Sequence, residues 1–242
     1  PQFERRIFQG VLQPRSYPGL PPGWISEWET FPAADGQLQL FMASHHPEKW
    51  TSPRALLVIH GLAEHGGRYL HFPHYLQSDV GSVFCLDHRG HGRSEGLRGH
   101  IENFDFYAED VALTVRRIEE QLRRRFGRSE IHLFAHSMGG LVALRSLFLH
   151  PGLPLASVTL SAPLLGVRVA LPVAKRAVAQ VLSRVWGSLH MANEVDPSHL
   201  SHDKEVVEAY SADRLVHKKG TPRFYTEMHR AISDTLSRDS GI

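Results

Sequence analysis

The chain has 242 residues, of which 42% are hydrophobic, with a formal net charge of +2 and one cysteine. That apolar content excludes a disordered chain, the lone Cys85 excludes an intrachain disulfide, and so small a net charge argues against nucleic acid as a partner. No apolar run reaches the roughly 18 residues needed to cross a bilayer, and Pro1 to Arg6 hold no signal-peptide core. A cytoplasmic protein, or one peripheral to a membrane, is expected.

Residues 1–23 are rich in proline and glycine and read as a surface arm. Trp24 to Phe31 and Gln37 to Ser44, separated by Asp35-Gly36, predict an antiparallel hairpin. His45-His46 reads as an exposed pair at its end. Ala55 to Ile59 is a continuous apolar run, as in a strand buried on both faces. A short helix follows over Leu70 to Leu76, then a buried strand over Val80 to Leu86 that makes Cys85 a core residue. Phe104, Ala108, Val111, Val115, Ile118 and Leu122 recur at helical spacing and predict a long helix from Phe104 to Phe126. Its outer face, Arg116, Arg117, Arg123, Arg124 and Arg125 interleaved with Glu119 and Glu120, reads as a solvated surface.

Ile131 to Phe134 is the next strand, Leu141 to His150 a helix stopped by Pro151, and Ala156 to Leu160 another buried strand. This alternation implies a mostly parallel sheet with right-handed crossovers. After Pro163 the pattern changes. Leu171 to Trp186 is amphipathic with a broad apolar face, Pro222 to Leu236 is helical, and no buried strand appears. The expected division is therefore an arm (1–23), an α/β core (24–166), a helical cap (167–235) and a tail (236–242).

Chemistry concentrates where strands end. In Phe134-Ala135-His136-Ser137-Met138-Gly139-Gly140 a strand turns sharply into a helix at Ser137. Small residues two positions either side let strand and helix approach, the steric logic of G-x-S-x-G with Ala135 in the first small position. The bend projects the Ser137 hydroxyl above the sheet, and the helix N-terminus behind it offers free N–H groups. The bland alternative is a Ser-Gly-Gly loop before a helix. His60-Gly61-Leu62 also follows a buried strand. A turn there can aim the Leu62 N–H at the same point as that of Met138, making an oxyanion hole; an ordinary glycine turn has the same sequence. Asp87, His88 and His91 lack the spacing of a metal site, and Asp87 and Arg89 read as braces for neighbouring turns. No metal or other cofactor is expected.

Three segments in order, His60-Gly61-x-x-Glu64-His65-x-x-Arg68-Tyr69, Asp87-x-Arg89-Gly90-His91-Gly92-x-Ser94-x-Gly96 and His136-Ser137-Met138-Gly139-Gly140, resemble the monoacylglycerol lipase and lysophospholipase group of α/β-hydrolases. The likeness extends from about Trp24 into the cap, where Glu205 to Val216 is similar to the family's cap segment. It implies an α/β-hydrolase fold: a mostly parallel sheet, an antiparallel N-terminal hairpin and a helical cap. It also implies Ser137 as nucleophile, Leu62 and Met138 as oxyanion donors, and His60, Gly61, His136 and Gly139 beside the site. The implied partner is a small lipid ester of one acyl chain, with peripheral membrane contact through the cap.

A serine of this kind needs a histidine base oriented by a carboxylate, both following the serine in sequence. The carboxylates available are Asp196, Asp203, Asp213, Asp234 and Asp239, and the histidines include His199, His202, His217 and His229. None follows a buried strand. Asp213, the closest match, follows the charged helical stretch Lys204 to Ala209 and reads as a cap aspartate. The acid and base, with the last strands of the sheet, are therefore expected beyond Ile242, and the chain ending there is expected to be nearly inactive by itself. The competing expectation is a protein that keeps the serine turn as a relic and uses a capped apolar pocket to bind a lipid or a partner.

Overall fold

The computed structural model describes residues 11–166, 180–192 and 197–238. The first ten residues of the arm, positions 171–179 of the expected cap helix, Asp196, Asp239 and the end of the tail lie outside the described residues.

Trp24–Pro32 (β1) and Gln39–Pro47 (β2) form the expected antiparallel hairpin. Arg54–Ile59 (β3), the short helix Phe72–Leu76 (α1) and Ser82–Asp87 (β4) follow. Asp105–Phe126 (α2) is the long helix, closed by Gly127 in the left-handed conformation that glycine adopts without steric penalty. Glu130–His136 (β5) leads through Ser137 into Met138–Leu149 (α3), and Ser157–Ser161 (β6) completes the main sheet. Its order is β1-β2-β4-β3-β5-β6. The pairs from β4 through β3 and β5 to β6 are parallel, and those of β2 with β1 and β4 are antiparallel. Residues 180–185 are helical. The two-residue strands Met191–Ala192 (β7) and Lys219–Gly220 (β8) pair with each other. Helices Lys204–Ala212 (α4) and Pro222–Leu236 (α5) follow β7 and flank β8.

Strands β3 and β4 are buried on both faces. Leu57, Ile59, Ile131 and Leu133 meet Val111, Val115 and Ile118 of α2 and Leu141 and Val142 of α3 in one cluster. Phe224, Met228, Ala231 and Ile232 of α5 enter the same cluster, so the buried face of this helix is part of the core layer. Cys85 is buried in a second cluster with Val58 and Val83.

Two expectations fail. Strand β6 is half-exposed, with Ser157 and Thr159 open to solvent, because among the described residues it pairs on one side only, with β5. His45 and His46 are buried inside β2, which continues to Pro47 between β1 and β4. His45 Nδ1 bonds the Ser26 hydroxyl at 2.8 Å, and His46 Nε2 bonds Glu27 at 3.2 Å.

The braces at Asp87 and Arg89 are as expected. Asp87 accepts from the amides of Gly66 (2.7 Å) and Arg93 (2.8 Å). Arg89 forks onto Asp110 at 2.7 and 2.8 Å and reaches Asp35 at 2.7 Å. Burial pushes the Asp110 carboxyl up, and Arg89 pulls against it. Replacing one partner strands the other charge, so Asp110→Ala is expected to lose about 3–5 kcal/mol of stability. The midpoint of urea unfolding reads this directly; an unchanged midpoint would show the pair to be without consequence.

Candidate active site

The register of the parallel strands builds the site. Ile59 of β3 lies opposite Ala135 of β5, so two residues further on Gly61 falls beside Ser137. A Cβ added to Gly61 would lie 3.1 Å from Ser137 Cβ and 3.0 Å from Glu64 Oε1, so a side chain there would press on both. On the other side His136 pairs with Ser161, whose carbonyl accepts from the Ser137 amide at 2.9 Å.

Ser137 itself has φ 53° and ψ −119°, a conformation that L residues rarely adopt. The strain is held by the helix that starts immediately after it. Gly139 permits this: its Cβ would sit 2.5 Å from the Ile59 carbonyl oxygen and 2.6 Å from that of His60. Gly140 likewise leaves room for Pro163. The Ser137 carbonyl accepts from the amides of Gly140 and Leu164, both at 2.9 Å.

Helix α3 therefore points its N-terminus at the bend, and the Met138 amide, in its first turn, has no intrahelical acceptor. Among the described residues the Leu62 amide likewise donates to no acceptor. The Ser137 side chain between the two segments is half-buried.

The turn carrying Leu62 is braced from all sides. His60 is fully buried; its Nδ1 bonds the Gly61 carbonyl at 2.7 Å, and its Nε2 accepts from the His88 amide at 3.0 Å. Glu64 Oε1 accepts from the Gly61 amide (2.6 Å) and the Tyr69 hydroxyl (2.9 Å), and Glu64 Oε2 faces Arg68 at 3.1 Å. Burial opposes the Glu64 carboxylate, but Arg68 and the Gly61 amide outweigh it and hold its pKa below the usual range. The cap reaches the same turn: the His217 amide donates to the Ala63 carbonyl at 3.0 Å. Asp213, buried, accepts from His65 Nε2 at 3.0 Å, from the Leu12 amide at 3.3 Å and from the Leu215 amide at 2.8 Å. Asp213 thus ties residue 12 and the 213–215 turn to His65. His136 turns its Nδ1 to the Ser161 hydroxyl at 3.2 Å.

The other described carboxylates are engaged elsewhere. Asp203 caps α4 through the Glu205 amide, and Asp234 pairs with Arg230. Sequence reasoning did not foresee the roles of Glu64, Arg68 and Tyr69. Their one local signal is the i, i+4 spacing of Glu64 and Arg68. It also missed that His60, His88, His91 and His217 gather in one buried cluster, with ring centroids 4.5 Å (His60–His88), 5.4 Å (His60–His91) and 4.8 Å (His91–His217) apart. Among the described residues no group of three such side chains is arranged to hold a metal ion.

A mostly parallel sheet whose serine bend lies beside the turn of the neighbouring strand defines the α/β-hydrolase fold. Comparison with known proteins places the chain further: residues 51–242 match the family described as serine aminopeptidase, S33 (Hydrolase_4), and the chain belongs to it. It is 35% identical over 173 residues to a monoacylglycerol lipase of Mycolicibacterium smegmatis, covering 71% of this chain and 60% of that one. With the monoglyceride lipase of Homo sapiens it shares 31% over 188 residues, covering 77% and 59%. The crystal structure of a Paleococcus ferrophilus monoacylglycerol lipase superposes with a TM-score of 0.59 at 28% identity, covering 86% of this chain and 71% of that one. The chain thus spans about 60% of the length of these two curated relatives.

Proposed function

We propose that this chain carries the nucleophile and the oxyanion hole of a carboxylic ester hydrolase acting on single-chain acyl lipids, monoacylglycerols or lysophospholipids. Ser137 Oγ attacks the ester carbonyl while its proton passes to a histidine base. The tetrahedral oxyanion rests on the amides of Leu62 and Met138, and its collapse expels the protonated alcohol and leaves an acyl-enzyme. Water then frees the fatty acid. The observation that carries this reading is the strained Ser137 standing 3.1 Å from where a Gly61 Cβ would be. The relatives' names, monoacylglycerol and monoglyceride lipase, support the substrate class.

The orienting carboxylate and the base belong, on this reading, to the part of the relatives' length that this chain does not span. Asp213 and His217 are already committed to holding the cap on the Leu62 turn. Val181, Val185, Trp186 and Met191, exposed in the cap region, fit contact with a lipid surface. The native full-length protein, treated with a fluorophosphonate probe, should carry the adduct on Ser137 by peptide mass spectrometry and should hydrolyse monoacylglycerol. A native protein left unlabelled at Ser137 would overturn the reading.

A further inference from the structure

The donor assigned to Leu62 belongs to the peptide unit that joins Gly61 to Leu62. No described peptide bond is cis, and in a trans peptide the C=O and N–H point in opposite directions. Whatever fixes the Gly61 carbonyl therefore fixes the Leu62 N–H.

The group bonded to that carbonyl is His60 Nδ1, at 2.7 Å. The other ring nitrogen settles the tautomer: the His88 amide donates to His60 Nε2 at 3.0 Å, so Nε2 presents its lone pair and the proton of the neutral ring sits on Nδ1. Burial keeps the ring neutral, outweighing the nearby Asp87 and Glu64 charges. The peptide before Gly61 is held as well, its N–H donating to Glu64 Oε1 at 2.6 Å.

We infer that His60 is a positioning residue: as the Nδ1–H tautomer it holds the Gly61 carbonyl and thereby aims the Leu62 N–H at the oxyanion formed on Ser137. This rests on the hydrolase reading above. The His88 amide acts one step further out, by fixing which nitrogen of His60 carries the proton.

Two isosteric replacements separate the halves of the device. In His60→Asn the side-chain NH2 lies where Nδ1 was and keeps the bond to Gly61, while the acceptor for His88 is lost. In His60→Gln the side-chain carbonyl reaches the His88 amide, while the donor to Gly61 is lost. In the native full-length protein, His60→Gln is expected to lower kcat by roughly 10- to 100-fold with KM changed less than about threefold, since only transition-state binding is affected. His60→Asn is expected to recover at least about tenfold of that loss, although it removes just as many hydrogen bonds.

Equal losses in the two variants, or losses that follow Tm, would reduce His60 to a structural role and overturn the inference. Nitrogen-15 NMR of the unmutated protein decides the matter even where both variants fail to fold. A protonated Nδ1 with bare Nε2 on His60 supports the inference, and the reverse tautomer refutes it whatever the activity. An unmutated protein unlabelled at Ser137 is a distinguishable failure, because it removes the hydrolase reading on which the inference rests.

Discussion

Replacing Ser137 with alanine or glycine is expected to lower ester turnover by the native enzyme about a millionfold, the scale on which a triad serine contributes in the best-measured case. The Leu62 and Met138 amides, being backbone, survive both substitutions, but no atom remains to form the proposed acyl-enzyme. The two variants should differ in stability. At φ 53° and ψ −119° a side chain is strained and glycine is not, and residues held in such regions cost of order 1–3 kcal/mol. Ser137→Gly should therefore raise the unfolding free energy by roughly 1 kcal/mol relative to Ser137→Ala while being equally inactive. Turnover of a monoacylglycerol and the midpoint of urea unfolding, measured on both variants, check this. Residual turnover above about 1% would remove Ser137 from the chemistry, and equal midpoints would mean that the bend is relaxed.

Acidification from pH 7.5 to 5 is expected to unfold the protein. Burial lowers the pKa of His45 to about 3, and burial with Arg98 lowers that of His217 to about 4. Burial also lowers His60, His88 and His91, the last two further through neighbouring histidines. The sign follows from linkage. Above about pH 6.5 these rings are neutral in both states and contribute nothing to the pH dependence. Below it the unfolded chain takes up protons that the folded one refuses, so stability falls until the pH reaches the folded-state value.

Each ring contributes about 1.4 kcal/mol per pH unit inside its window. Several together remove within one or two units a margin that is about 5–15 kcal/mol in an ordinary domain. Glu64, Asp35 and Asp213, whose pKa values lie below their usual ranges, extend the loss at still lower pH. Asp110, pushed up by burial, works in the opposite direction. Urea midpoints at pH 7.5, 6.5 and 5.5 should fall steeply across the last step, and His45→Gln should flatten the slope by about one proton. Midpoints unchanged from pH 7.5 to 5.5 would contradict the buried neutral cluster.

The two predictions share a cause. The site is a strained bend and a tight turn, and both persist only because their surroundings over-determine them. Around Ser137 the constraint is steric, set by the glycines that admit Ile59 and Pro163. Around Leu62 it is polar and buried: His60, Glu64, His65 and the cap residues Asp213 and His217 all bond the 60–66 segment or its neighbours. Polar groups buried this way stabilise only when they are paired and in the right protonation state. Acid sensitivity is the counterpart of a rigid, polar, buried turn.

By itself the sequence determined the alternation of strands and helices, the bend at Ser137 and its two flanking motifs, because these depend on local periodicity, on the φ/ψ freedom of glycine and on spacing within a few residues. The apolar runs at β3 and β4 read as strands buried on both faces, and the motifs after β3 and β5 as lying at carboxyl ends of strands. Tertiary structure alone decided what depends on long-range register. Pairing of Ile59 with Ala135 set Gly61 against Ser137. The extension of β2 to Pro47 buried His45 and His46, which local pattern puts at an exposed end. The fold carried Asp213 across 148 positions to His65, and His217 across to His91. A residue's partner at that separation leaves no trace in its neighbours along the chain, and a histidine reads the same whether it will be solvated or sealed. Only the packed molecule distinguishes the two.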